Sequence, residues 1–192
     1  MDVDELVRLF EGKRMEYGVV NVRGVVDELL DKNQDVDGAV NDLDSLLKDD
    51  DDKRAIWHFN ALEAMRSLAY DPAFTADNAK TLLDRTKDLA WRYRDDEYYY
   101  KTVTVLARST SQPVLDELEG VVRAGLKGEV PVTDGKWLAL YVVGLLVTTR
   151  VPKNWLLPLV DELAKSSPDD PNLAGQWSRS VKEMRGVVGG DR

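Results

Sequence analysis

The chain has 192 residues, 43 % of them hydrophobic and 32 % charged, with a formal net charge of −9 and no cysteine. That length describes one domain or a short repeat array, able to bury about 70 % of its unfolded surface. The missing cysteines exclude a disulfide framework, a thiolate zinc site and a cysteine nucleophile.

The charge is unevenly placed. Residues 1–52 carry 16 Asp and Glu against 6 Lys and Arg, whereas residues 53–192 carry 19 against 20. The start, Met1-Asp2-Val3-Asp4-Glu5, is acidic where a secretory signal is basic. The most apolar run, Trp137 to Val147, has 11 residues, and a bilayer core needs about 20. A cytoplasmic protein with no membrane association is therefore expected. Asp outnumbers Glu 24 to 11 and Val outnumbers Ile 24 to 1. This usage resembles that of salt-in halophiles, from which the nearly neutral remainder departs.

In chain order, Asp4–Phe10 is predicted to form a capping helix and Val22/Val26/Leu29 a short first repeat copy. Next comes Asn33-Gln34-Asp35-Val36-Asp37-Gly38-Ala39-Val40-Asn41-Asp42-Leu43-Asp44, with oxygen side chains at positions 1, 3, 5, 9 and 12 and Gly at 6. A hard cation needs six or more oxygens, and a glycine lets the chain turn sharply around it. The motif resembles a calcium loop, closer to dockerins than to EF-hands, and that resemblance implies a site at Asn33, Asp35, Asp37 and Asp44. The alternative is that Asp35 caps a helix. A helix through Val36–Asn41 would keep the carboxylates from converging.

Asp49-Asp50-Asp51-Asp52-Lys53 joins two apolar-periodic helices. It is either a solvated turn that favours the next helix's N-terminus or part of an acidic docking surface. A helix over about Lys53–Tyr70 follows, stopped before Pro72, with the only histidine, His58, on its apolar pattern. Thr75 and Asn78 open the next helix, to about Arg94. Asp95-Asp96 start another that ends near Ser109–Ser111. Pro113 begins Val114–Leu126, which Gly128 closes. Asp134 caps Gly135–Arg150, and Pro152 opens a helix that contains Pro158. The turn Pro168-Asp169-Asp170-Pro171 precedes the last helix, which fades at Gly189-Gly190.

Two apolar patterns recur through these helices about every 40 residues. The spacing i, i+4, i+7, i+11 gives His58/Leu62/Met65/Ala69, Tyr99/Val103/Leu106/Thr110, Leu138/Val142/Leu145/Thr149 and Trp177/Val181/Met184/Val188. The spacing i, i+3, i+7 gives Val40/Leu43/Leu47, Ala79/Leu82/Thr86, Leu115/Leu118/Val122 and Leu156/Leu159/Leu163. With the bend prolines 72, 113 and 152, the pattern resembles HEAT or armadillo repeats over about residues 20–190. The resemblance implies an all-α superhelix of eight to ten helices in antiparallel pairs: a cap and first repeat over 1–52, then about three more pairs over 53–192. An irregular helical bundle explains the same helices. Val142 and Leu145 are expected to be nearly inaccessible.

Catalytic signatures are absent. There is no second histidine, no G-x-S-x-G and no glycine-rich phosphate loop. Trp91-Arg92-Tyr93-Arg94 and Tyr98-Tyr99-Tyr100-Lys101 flank three acids, and Trp, Tyr and Arg dominate interface hot spots. Tyr99 belongs to the apolar pattern, and the others cannot all share that face. The expected function is therefore a non-enzymatic protein-interaction or adaptor module. Asp49, Asp50, Asp51 and Asp52 would steer a basic partner towards Trp91, Arg94 and Tyr98. The repeat resemblance also admits an enzyme like the DNA-alkylation-repair glycosylases. Nucleic acid is not expected, because no clustered row of cations meets phosphates. A calcium-dependent docking module depends on the loop at 33–44.

Overall fold

The computed structural model describes residues 1–109, 112–149 and 151–190, and over these the chain is all-helical, with ten α-helices. These are α1 (Val3–Gly12), α2 (Val22–Asn33), α3 (Val36–Leu47), α4 (Ala55–Leu68), α5 (Ala76–Tyr93), α6 (Asp96–Ser109), α7 (Gln112–Lys127), α8 (Gly135–Val147), α9 (Lys153–Lys165) and α10 (Pro171–Gly189). Among the described residues the extended pairing is a lone bridge, Arg14 to Val20. Thr110, at the end of one apolar pattern, and Ser111 and Arg150, at expected helix ends, lie outside the described residues.

Capping chemistry sets most boundaries. Asp2 closes a reciprocal capping box with Glu5 at the start of α1. Thr75 Oγ1 accepts the Asn78 amide at 3.3 Å, and Asp134 accepts that of Trp137 at 3.2 Å. Pro171 occupies the first turn of α10, where its missing N–H leaves no bond unmade.

The residues divide into two compact units, Met1–Asp88 and Leu89–Arg192, with α5 starting in the first and ending in the second. In the first, α1, α2, α3 and α4 all pack on one another. Leu6, Phe10, Leu29, Leu43, Leu62 and Met65 are fully enclosed, and each such side chain contributes about 1.5–3 kcal/mol of burial. Phe10 meets Trp57 at 6.2 Å between ring centroids, and the Arg14 guanidinium lies 4.8 Å above the Trp57 ring. His58 is buried in this core.

In the second unit α8 is central, packing on α6, α7, α9 and α10. Its composition explains the position: beyond Lys136 it has no charged residue, and a helix apolar all round must be covered. The cover is incomplete. Val142 and Leu146 are fully buried, but Leu145 is only half-buried, which corrects the expectation that it would be inaccessible. Leu145 lies with Trp137 and Tyr141 along an open groove of about 340 Å³, shared with Ser180 and Met184 of α10.

The i, i+3, i+7 positions reappear as packing, while Leu145, Thr149 and Met184 of the other pattern are only half-buried. All twelve residues of the i, i+3, i+7 pattern are buried, on α3, α5, α7 and α9. Polar ties join equivalent positions one period apart. Asn78 Nδ2 donates to Asp37 at 2.7 Å and Arg85 Nε to Asp44 at 2.7 Å, each pair 41 residues apart. Arg123 of α7 meets Glu162 of α9 at 3.2 Å. Tyr100 of α6 meets Tyr141 of α8 edge-on at 6.2 Å.

Candidate functional site

The end of α5 turns one face into the core and leaves the other bare. Leu89 and Ala90 are buried, whereas Trp91 is 62 % exposed, with no ring contact or hydrogen bond among the described residues. The helix stops at Tyr93 because Arg94 takes a left-handed conformation, φ 52°. The amide of Asp95 then reaches back to the Ala90 carbonyl at 3.2 Å. This is the six-to-one bond of a Schellman cap, in which the left-handed position usually holds glycine. Arg94 is exposed and has no hydrogen bond or ion pair among the described residues.

The acids that follow Arg94 are engaged elsewhere. Asp95 accepts the Glu97 amide at 2.9 Å and so opens α6. Asp96 accepts both the amide and the hydroxyl of Thr133, at 2.9 and 3.0 Å. Glu97 pairs with Lys101 at 2.9 Å. Tyr98 is half-buried and stacks on Tyr93, with centroids 6.1 Å apart and planes 30° from parallel, so the two rings brace the turn. Tyr99 is buried, as its place in the apolar pattern requires. Burial raises the pKa of the Tyr100 hydroxyl, and the negative charges of Asp134 and Asp96 push it the same way.

The acidic run at 49–52 lies in the first unit and is only partly an outward patch. Arg54 NH1 donates to Asp49 at 2.6 Å and NH2 to Asp4 at 2.9 Å, and Arg54 Nε lies 3.8 Å from Asp51. One guanidinium thus ties the start of α1 to the turn before α4. Asp51 also accepts the Lys53 amide at 3.0 Å, starting the single 3-10 turn over Asp52–Arg54 that leads into α4. Asp50 and Asp52 are exposed.

The stretch 33–44 leaves α2 at Asn33 and enters α3 at Val36, the capping arrangement that was one of the two readings open to it. Asp35 caps α3 by accepting the Gly38 amide at 2.6 Å, and α3 runs from Val36 to Leu47. Rigid helix geometry sends the four expected ligands to separate partners. Asn33 donates to Leu29 O and Asp42, Asp35 holds the cap, Asp37 accepts from Asn78, and Asp44 accepts from Arg85 and from Lys48. Gly38 suits the cap, since a Cβ there would stand 2.8 Å from Asn33 Cβ and 2.9 Å from Asp35 Oδ1. Among the described residues no cluster of three or more His, Cys, Asp or Glu is placed to hold a metal ion.

Two surfaces escaped the sequence reading. Met15, Tyr17 and Val19 project from the turn between α1 and α2, with Tyr17 99 % exposed at φ 65°. The only hint was the Tyr17-Gly18 step, since glycine follows many tight turns. The other surface is the groove beside α8, which an all-apolar segment cannot disclose because it carries no mark of its uncovered side.

Among the described residues no helix is long and apolar enough to cross a membrane. Compared with protein-family models, curated proteins and solved structures, the chain matches none.

Proposed function

We propose that this protein is a non-enzymatic interaction module. Its HEAT-like helix pairs form the scaffold, and the end of α5, from Trp91 to Tyr98, docks a protein partner. One observation carries the reading: Trp91 is 62 % exposed and unpartnered, beside the well-packed Leu89 and Ala90. A tryptophan held in water forgoes burial worth about 1.5–3 kcal/mol or more, which a partner can recover. The Tyr93–Tyr98 stack supports it by holding the turn still before contact, which lowers the entropy lost on binding.

The acidic first quarter supports a docking role less than its charge suggests. Asp4, Asp49 and Asp51 hold Arg54, Asp37 and Asp44 link successive repeat positions, and Asp2 and Asp35 cap helices. Asp50 and Asp52 are exposed, and the docking proposed at the end of α5 does not depend on them.

The test is affinity capture from the native host with three immobilised forms: wild type, Trp91→Ala and, as a surface control, Ile56→Ala at an equally open apolar site. A specific protein should be retained by wild type and Ile56→Ala and lost from Trp91→Ala. Equal retention by all three forms, or none by wild type, overturns the reading.

A further inference from the structure

Resting on that reading, we infer that the segment docked at the end of α5 is acidic, presenting a carboxylate to Arg94 beside an apolar side chain for Trp91. The argument starts from the backbone. Arg94 sits at φ 52°, a conformation that costs a residue with a Cβ about 1–2 kcal/mol relative to the right-handed one. The same cap recurs at the end of α7, where Glu129 N bonds Ala124 O at 2.9 Å and the left-handed position holds Gly128 at φ 75°. Glycine therefore serves this geometry elsewhere in the same unit. Arginine at 94 needs another reason to be there.

Local bonding does not supply it. Gln34 is also left-handed, φ 64°, but its side chain donates back to the Asp31 carbonyl at the end of its own helix. Arg94 makes no such bond. Its guanidinium keeps five donors in a planar fork, the geometry that grips a carboxylate with two parallel hydrogen bonds.

The surroundings narrow the partner. Asp95 and Asp96 hydrogen-bond neutral amide and hydroxyl donors and Glu97 pairs with Lys101, so none of the three is ion-paired with Arg94. A polyanion needs a row of cations rather than one. A short acidic-apolar peptide segment meets both constraints: one carboxylate reaches Arg94, and the neighbouring side chain covers Trp91.

The experiment is selection from a random peptide display library on immobilised wild-type protein, followed by synthesis of the most enriched peptide as the probe. Its binding is then measured by calorimetry. The expected consensus carries Asp or Glu next to an aromatic or aliphatic residue. The probe should bind Arg94→Gly and Trp91→Ala at least tenfold more weakly, and Arg94→Lys at an intermediate level, because an ammonium cannot bind both oxygens in a fork. Arg94→Gly should melt no lower than wild type, so that a loss of binding is not a loss of fold. Enriched peptides that depend on Trp91 but are neutral or basic, or that are indifferent to Arg94→Gly, overturn the acidic partner while the interaction reading stands. If no peptide is enriched, or none depends on Trp91, both fall.

Discussion

Helices α5 and α7 stop in the same way and with different residues. Each ends in a left-handed position followed by an amide that returns to the carbonyl five residues back, Asp95 to Ala90 and Glu129 to Ala124. At α7 the position is Gly128, with nothing within 4 Å of where a Cβ would stand, so its glycine answers a conformational need and not a steric one. At α5 the position is Arg94, which meets the same backbone at a conformational cost. What separates the two ends is their neighbourhood. Arg94 stands beside the exposed Trp91, whereas Gly128 is followed by the buried Val130. Local stability alone would favour glycine at both, and the departure at Arg94 is what the proposed acidic partner accounts for.

The largest effect that bears on this comparison comes from α7's other glycine. A Cβ on Gly125 would stand 2.6 Å from the Gly135 carbonyl oxygen, where α7 and α8 cross backbone to backbone. Gly125→Ala should force the helices apart and cost about 2–3 kcal/mol in chemical denaturation. A neutral Gly125→Ala would show that the α7–α8 crossing yields easily, and Gly128 would lose its standing as a purely conformational reference.

Next in size is the exchange at the reference end. Gly128→Arg recreates at α7 what α5 already has, and should cost about 1–2 kcal/mol with no clash to confuse the reading. The reciprocal change, Arg94→Gly, should stabilise by about 0.5–1 kcal/mol once the greater unfolded-state freedom of glycine is subtracted. For a chain of this size that is a rise in Tm of about 1–4 °C. If Arg94→Gly instead melts lower than wild type, the arginine stabilises the native state, and the argument from strain fails.

The sequence disclosed the frame of this molecule better than its site. Apolar periodicity located α3 to α10 and most of their inward faces, Leu145 of α8 excepted, because a helix that must bury one side repeats its side chains at 3.6 residues whatever the chain around it does. The Trp91–Tyr98 cluster was legible for a related reason: too many large aromatics stood in one segment to share one face. Two points stayed open in the sequence for physical reasons. Asp35, Asp37 and Gly38 have the spacing of a cation loop, and the same oxygens and glycine also serve an N-cap. Tertiary partners such as Asn78 and Arg85, 41 residues away, decided between the two, and local spacing carries no record of them. Arg94 was named only as a residue type common in interface hot spots. Its left-handed backbone was hidden, since no residue type except glycine announces that conformation.

The smallest effect is the most discriminating. Gln34 is left-handed like Arg94, its amide bonds Leu30 O at 2.8 Å, and its side chain closes on the Asp31 carbonyl. Gln34→Gly should relieve about 1 kcal/mol of backbone cost and lose a partly solvated hydrogen bond of about 0.5–1.5 kcal/mol, leaving a net change near zero. Gln34→Ala keeps the strain and loses the bond, so it should be destabilised by about 0.5–1 kcal/mol. Measured together by urea denaturation, the pair asks whether a side chain can justify a left-handed position by local bonding. If Gln34→Gly gains as much as Arg94→Gly, the bond to Asp31 contributes nothing. Gln34 would then join Tyr17, left-handed at φ 65° and 99 % exposed, as a position held without a local side-chain bond, and only the adjoining Trp91 would set Arg94 apart. If Gln34→Gly is flat while Arg94→Gly gains, the two positions differ as argued: one residue compensates its strain within its own helix, and the other is compensated only by something that binds.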